Sequence, residues 1–424
     1  MTASKTKIDR AGNAMATDHF RNEEELFELE DVFDEYRKGH LQPLSETTLE
    51  LQRWLADYSS SYYIAQRLKR KPQIARKLRR LKVRLTQLQD IGGCRIIVAK
   101  NRDVDRLQIF IEEQVAKHGA FQVERITDYR EKGRDDTGYR ALHMILKRDG
   151  FSLELQIRSG VQHYWAEFIE RTSVIYGYHL KESEGDPNVI QYFKRLSDAF
   201  YDIEGGRQLP SSAKLEIDGL RVNALKIIEQ SERHQVLDSY VNEGIIKTLI
   251  EKEANIGKGL NNWIIVFDWN SGSFVSWDIV GRSPDDAIRA YVENEKNFPS
   301  EEGFEVVLIG SSEVSTVRRT HSHYFGIESQ DSVLESLDAS IAGFVRKIDL
   351  DISARHILLC LYRKHYWGTK AVSRETLKNH FCQNVFTFDE SLMALIEKAL
   401  VIDDGGLSLN LSMKKVVESY VSLS

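Results

Sequence analysis

The chain has 424 residues, 42% of them hydrophobic and 29% charged, with a mean hydropathy of -0.40 and a net charge of -6. On a prior of roughly 150 residues per domain this predicts a globular protein of two or three domains, and the acidic balance argues against a nucleic-acid coat protein. With 6 prolines and 26 glycines, collagen-like and low-complexity classes are excluded. No stretch approaches the ~18 to 20 apolar residues that cross a bilayer, and the opening MTASKTKIDRAGNAMATDHF holds no signal-peptide core. A cytoplasmic protein with no membrane partner is therefore expected. Cys94, Cys360 and Cys382 are far apart in the chain, which excludes a disulfide framework and any Cys-x-x-Cys zinc site.

In chain order, residues 1–20 lack periodicity and read as a flexible tail. Helical spacing follows in Leu26, Leu29, Val32, Phe33 and Tyr36, and again in Leu49, Leu51, Trp54 and Leu55. From Arg67 to Arg84 the sequence RLKRKPQIARKLRRLKVR holds ten basic residues and no acidic one. It reads as a loop around Pro72 and then an amphipathic helix with Ile74, Leu78, Leu81 and Leu85 on one face. The strand CRIIVAK leads to a helix ending at Gly119, then to the strands FQVERITD, ALHMILKRDG and SLELQIRS, with a hairpin turn at Asp149-Gly150. Two helices follow, the first with Trp165, Phe168 and Ile169 inward, and complete a mixed sheet with flanking helices over about 21–205. Residues 211–260 read as helical, and a small α+β unit continues to about 330: NNWIIVFDW, SFVSWDIV, DDAIRAYVENEK and FEVVLIGS. The last region, 331–424, is mostly helical and ends in the hairpin-like VIDDGGLSLNLS.

Three features of the first half carry chemistry. Arg67, Lys69, Lys77 and Arg80 can converge on a polyphosphate, lysine supplying point charge and arginine a fork of donors. The alternative is a solvated basic face or an RNA-binding patch. Asp90 and Glu154 lie in or beside strands suited to burial, an expensive place for a charge unless a cation pairs with it. They can form a Mg²⁺ site, or salt bridges to Arg95 or Arg158. In Gly138-Tyr139-Arg140-Ala141-Leu142-His143 the tyrosine offers a ring for a nucleobase and the histidine a donor; the alternative is a turn with a core tyrosine.

Taken together, RLKRKPQIARKLRR, LQDIGGCRIIV, DYREKGRDDTGYRALH and LELQIRSGVQHYWAE resemble the synthetase domain of the RelA/SpoT alarmone synthetases, particularly the small and toxic ones, over about residues 25–200. The resemblance implies a pyrophosphokinase on a nucleotidyltransferase-like α+β fold, passing the β,γ-pyrophosphate of ATP to the 3′-hydroxyl of GTP or GDP. It implies that Arg67, Lys69, Lys77, Arg80 and Arg95 bind ATP, and that Asp90 and Glu154 organise Mg²⁺ and carry catalysis. Tyr139 would stack on the acceptor base, with His143, Gln156 and His163 lining its pocket. Gln73, Gly133-Arg134, Asp135-Asp136 and His163 depart from the family pattern, and all but Gln73 fall on the acceptor side. No histidine is followed by aspartate, so the family's hydrolase motif is not present in this sequence.

Residues 353–412 resemble a winged helix. Its third helix carries Asp389, Glu390 and Glu397 against Lys398, the wrong sign for reading DNA, so a regulatory protein-contact module is expected, engaging a protein trigger or a second copy. His321 and His323 read as a surface loop. Two other functions stand beside the leading one: pyrophosphorylation of the tRNA 3′ end by a toxin with an antitoxin-like C-terminal half, and a catalytically inactive binding module.

Overall fold

A computed structural model describes residues 3–56, 58, 62–231, 260–270, 273–311, 316–317, 320–321, 350, 352–382, 385 and 388–421. Eight strands are β1 (Tyr62–Leu68), β2 (Gly92–Val98), β3 (Gln122–Asp128), β4 (Leu142–Arg148), β5 (Phe151–Ser159), β6 (Asn261–Asp268), β7 (Ser273–Ile279) and β8 (Phe304–Ser311). They form one mixed sheet in the order β3-β4-β5-β2-β1-β8-β6-β7. β2 runs parallel to β5, and the other pairings are antiparallel. The overall class is thus α+β with a mixed sheet, and no helix among the described residues is long and apolar enough to cross a membrane.

The helices over the first half are α1 (Lys5–Thr17), α2 (Glu23–Lys38), α3 (Leu41–Ala56), α4 (Lys71–Leu81), α5 (Asn101–His118), α6 (Gly160–Tyr176) and α7 (Pro187–Glu204). The expected flexible tail is α1 instead. Ser4 caps it, and Ile8, Ala11 and Ala14 are buried against α2 and α4. Alanine and glycine carry so little apolar signal that the face escapes a hydropathy reading; they matter because Gly12 lets Leu85 come close. α4 begins with Pro72 in its first turn, as proline prefers. Its expected stripe is cut short. Ile74 and Leu78 are buried, but Leu81 is 48% exposed, and the helix ends at Lys82 in a left-handed conformation. β1, which carries Arg67, was not distinguished from the basic loop in the sequence.

The α+β unit of the second half does not stand apart. β8 pairs with β1, Gln66 opposite Gly310 and Arg67 opposite Ile309, so the sheet of the first half continues into it. Gly310 permits this approach, because a Cβ there would fall 2.5 Å from Gln66 Cγ. In β6 the run Trp263, Ile264, Ile265, Val266, Phe267 is apolar without alternation because both faces are covered. Ile264 and Val266 pack toward α1, α2 and α4, whereas Trp263, Ile265 and Phe267 pack with Ala65, Val174 and Val317. After α8 (Ser211–Glu229), the rest of the region read as helical to 260 lies outside the described residues. Between β7 and β8, α9 (Pro284–Asn297) ties the unit to α2: its Glu295 accepts from the buried Arg37, with Arg37 Nη1 at 3.0 Å. Arg70 and Glu305 make a second ion pair across the same junction.

The last region has its own core, with Ile357, Leu361, Phe388, Leu392 and Leu407. It contains α10 (Ile352–Arg363), a helical segment over 374–381 that ends in a π turn, α11 (Phe388–Glu397), and the hairpin of β9 (Val401–Asp403) and β10 (Leu407–Leu409). The chain does not end in that hairpin: α12 (Lys414–Val421) follows and buries Val417 and Tyr420.

Candidate active site

The adjacency of β1 and β2 brings the loop after the first and the loop before the second to one sheet end, where Lys69 N donates to Ile91 O at 2.7 Å. Asp90 therefore lies beside the basic segment. Its Oδ2 accepts from Lys69 Nζ and from Lys77 Nζ, each at 2.6 Å, while Oδ1 is buried with no hydrogen-bond partner among the described residues. Burial pushes the Asp90 carboxyl up, but the two ammonium charges outweigh it and hold the group well below the usual carboxylate range. Burial likewise presses Lys69 downward against the pull of Asp90.

Strand alternation places Glu154, Gln156 and Arg158 on one face of β5, with Leu153, Leu155 and Ile157 in the core on the other. Register then builds two polar rows across three strands, Arg67 with Gly93 and Glu154, and Ala65 with Arg95 and Gln156. Gly93 must be small, since a Cβ would sit 3.1 Å from Glu154 O. Glu154 accepts from Gln156 Nε2 at 2.5 Å and pairs with His143 Nδ1 at 2.9 Å. His143 Nε2 in turn lies 2.8 Å from the Tyr139 hydroxyl, which accepts from Arg158 at 2.6 Å. Burial raises Glu154, yet the charge and hydrogen bond of His143 bring it down to about 2. Burial lowers His143, and Tyr139 with Glu154 reverses the sign, so the ring is held protonated above its ordinary range.

Gly138 sets this arrangement. Its φ of 80° and the 3.0 Å from a would-be Cβ to Lys194 Cα leave room for glycine only. Tyr139 is 6% exposed, with the Arg158 guanidinium 4.8 Å from its ring centroid. Its ring is thus packed in the core and faced by an arginine, the turn-and-core alternative of the sequence reading rather than an open platform.

Arg67, Lys69 and Arg95 line a cavity of about 60 Å³ with Asp90, Glu154 and Gln156. A wider opening of about 220 Å³ reaches Lys77, Asp90, His143 and Glu154 from the other side. Burial, then the neighbouring Arg158, presses the Arg95 guanidinium below its ordinary range, with Glu167 at 3.4 Å as a counter-charge. Such crowding of cations favours an anionic ligand. Besides the core-packed Tyr139, two of the expected residues stand outside these cavities. Arg80 is on the outer face of α4, 3.9 Å from Asp136, and His163 lies 3.8 Å from Glu167 on α6.

The segment read as a surface loop reaches into this site. His321 is 3% exposed and lines the smaller cavity, and Arg95 Nη1 donates to Thr320 O at 2.9 Å. His323 lies outside the described residues. Arg158 was legible as a functional residue from the alternation of SLELQIR, which puts it on the face of Glu154. For His321 nothing local in the sequence signalled a role.

A mixed sheet that brings two part-buried carboxylates among clustered lysines and arginines has the charge to attract a polyanion. Residues 66–181, which supply nearly all of it, match the family model described as the region found in RelA / SpoT proteins. The segment contains all four motifs that resemble this family. Uncharacterised proteins of Mycobacterium tuberculosis and Mycobacterium bovis are 31% identical over 140 residues, 32% of this chain and 47% of theirs, so the chain spans about half the length of the curated relatives it matches. Among solved structures, small alarmone synthetase 1 of Bacillus subtilis bound to its product pppGpp is 23% identical, covering 39% of this chain and 89% of that one, with a TM-score of 0.33. A GTP pyrophosphokinase family protein of Streptococcus pneumoniae is 18% identical, covering 46% and 97%, with a TM-score of 0.34.

Proposed function

We propose that this protein is a pyrophosphokinase that moves the β,γ-pyrophosphate of ATP to the 3′-hydroxyl of a guanine nucleotide. The observation that carries the reading is the pair of carboxylates, Asp90 held by Lys69 and Lys77, and Glu154 held by His143, bordering one cationic cavity. In the reaction the bond from the α-phosphate to the bridging oxygen of the β-phosphate stays with AMP, the β-phosphorus separates from that oxygen, and the acceptor 3′-oxygen bonds to the β-phosphorus. The proton of the 3′-hydroxyl passes to a base. Such transfers depend mainly on positioning and charge neutralisation. Lys69, Lys77, Arg67 and Arg95 hold the triphosphate, and ATP competes with Asp90 for the two lysines. Glu154 takes or orients the acceptor proton once His143 releases it, since a carboxyl held at about 2 is a poor base while that pairing lasts.

Mg²⁺ is the expected cofactor, and the donor set fits it: Asp90 keeps one buried oxygen without a donor, and Glu154 faces the same cavity. When bound, the ion supplies neutralisation of phosphate charge; Asp90 and Glu154 would hold it.

The C-terminal half restrains the enzyme in this reading. The cavities of about 60 and 220 Å³ are below the roughly 300–1,000 Å³ of ordinary ligand sites; His321 lines the smaller one, and Thr320 O accepts from Arg95 of its lining. In the winged-helix-like end, Asp389 pairs within its own domain, with Arg374 at 3.0 Å and Lys378 at 2.5 Å. Incubation of the full chain with γ-labelled ATP and GTP, GDP, ATP or tRNA tests the proposal. Label on a guanine nucleotide is expected. Label on tRNA alone would replace the acceptor, and no transfer by either the full chain or a His321→Ala variant, which removes a ring from the cavity, would make it a binding module.

A further inference from the structure

Two of the three cysteines come together in the last region. His356 and Cys360 are four residues apart on α10 and share a helical face. Cys382 follows directly on the π turn Leu377–Phe381, and Cys360 Sγ donates to Phe381 O at 3.5 Å. The two sulfurs and an imidazole nitrogen of His356 all lie within 4.8 Å of one another. A tetrahedral zinc ion, with bonds of about 2.3 Å to sulfur and about 2.0 Å to nitrogen, needs its ligands spaced by a little less than that. The burial is graded in the sense such a site requires: Cys382 is 1% exposed, Cys360 partly buried, and His356 at the surface.

We propose that His356, Cys360 and Cys382 bind one zinc-class divalent ion, with the fourth coordination position open to water on the His356 side. Two thiolates and an imidazole select soft or borderline cations over Mg²⁺, which prefers oxygen, so this site and the carboxylate pair would take different metals. The ion would pin the π turn to α10 and couple the folding of this domain to metal supply.

Full-length protein, stripped of metal and kept reduced, is loaded with Zn²⁺ or Co²⁺ and desalted. One ion per chain is expected to remain, and the Co²⁺ form should show the thiolate-to-metal charge-transfer absorption of a tetrahedral site. Cys360→Ser and Cys382→Ser should each abolish that absorption, and His356→Ala should keep it with weaker binding. Zn²⁺ should also raise the melting temperature of the wild type and not that of Cys382→Ser. Folded wild type that gives no charge-transfer band overturns the proposal whatever the variants do. A thiol titration of freshly purified, denatured chain that finds only one reactive cysteine also overturns it, since the pair is then a disulfide.

Discussion

Arg95, in the middle of β2, donates a 2.9 Å hydrogen bond to the backbone carbonyl of Thr320, 225 residues further along the chain. The contact is anchored on both sides. Val317, one turn earlier, is fully buried among Ala65, Trp263 and Ile309, and Thr320 is itself 0% exposed. In the proposed reading, a segment so fixed in the core restrains access to the site as part of the fold.

Unlocking should therefore follow from changes that leave the first half untouched. His321→Ala removes a ring from the cavity, and Val317→Asp places a charge where it cannot be buried, detaching the segment. Both are expected to strengthen binding of a fluorescent ATP analogue on the order of tenfold, the size of a typical coupling between sites, and to raise transfer. Unchanged or weaker binding in both variants would mean that the segment builds the site instead of closing it.

Glu154→Gln keeps the shape of the side chain and deletes its charge. Transfer by an unlocked protein should fall by a factor on the order of a hundred or more, as when a base or metal ligand is lost. Near-normal turnover would refute the role given to this residue.

Tyr139→Phe would be silent if the ring merely stacked. Instead the hydroxyl joins His143 and Arg158 inside the protein, at 2.8 and 2.6 Å. Deleting it leaves buried donors short of an acceptor, which costs about 1–3 kcal/mol. Chemical denaturation should detect a loss of that size, together with a change in the pH dependence of transfer. A variant as stable as wild type would return Tyr139 to a stacking role.

Acid should destabilise the protein through this same site. The folded values of Asp90 and Glu154 lie below their ordinary 3.8 and 4.5, so their contribution is complete above those values and is lost as pH falls through the folded ones. For Glu154 the loss runs from 4.5 down to about 2. Unfolding free energies at pH 6 and pH 3 should differ less in Asp90→Asn than in wild type. An equal difference in both would show that Asp90 carries none of the acid limb.

The junction of the two halves rests on Arg37, whose side chain is 1% exposed and paired with Glu295. Glu295→Ala leaves Asp34, 3.6 Å away, as the remaining counter-charge. A loss of about 1–3 kcal/mol is expected by calorimetry, since hydrogen bonds to buried charges are worth that much. No change would mean that β8 pairing, the Arg70–Glu305 pair and the shared core hold the halves together without it.

Much of this was local and hence legible. Alternation in SLELQIR separates Glu154, Gln156 and Arg158 from Leu153, Leu155 and Ile157, the Asp149-Gly150 pair turns the hairpin, and Gly119 ends α5 in a left-handed cap. The four motifs marked the region that matches the RelA / SpoT family model, because each is a single run of chain through adjoining strand, helix or turn. Long-range pairing was not legible. Nothing near Gly310 announces that its partner is Gln66, nothing in HSHYFG marks His321 as buried, and α1 hides its face behind alanines. Register between distant strands depends on which surfaces exclude water together, and that is settled only when all of them are present. The sequence by itself thus determined the chemistry available at Asp90 and Glu154, while only the tertiary structure decided that the second half shares their sheet, covers their cavity and draws Cys360 to Cys382.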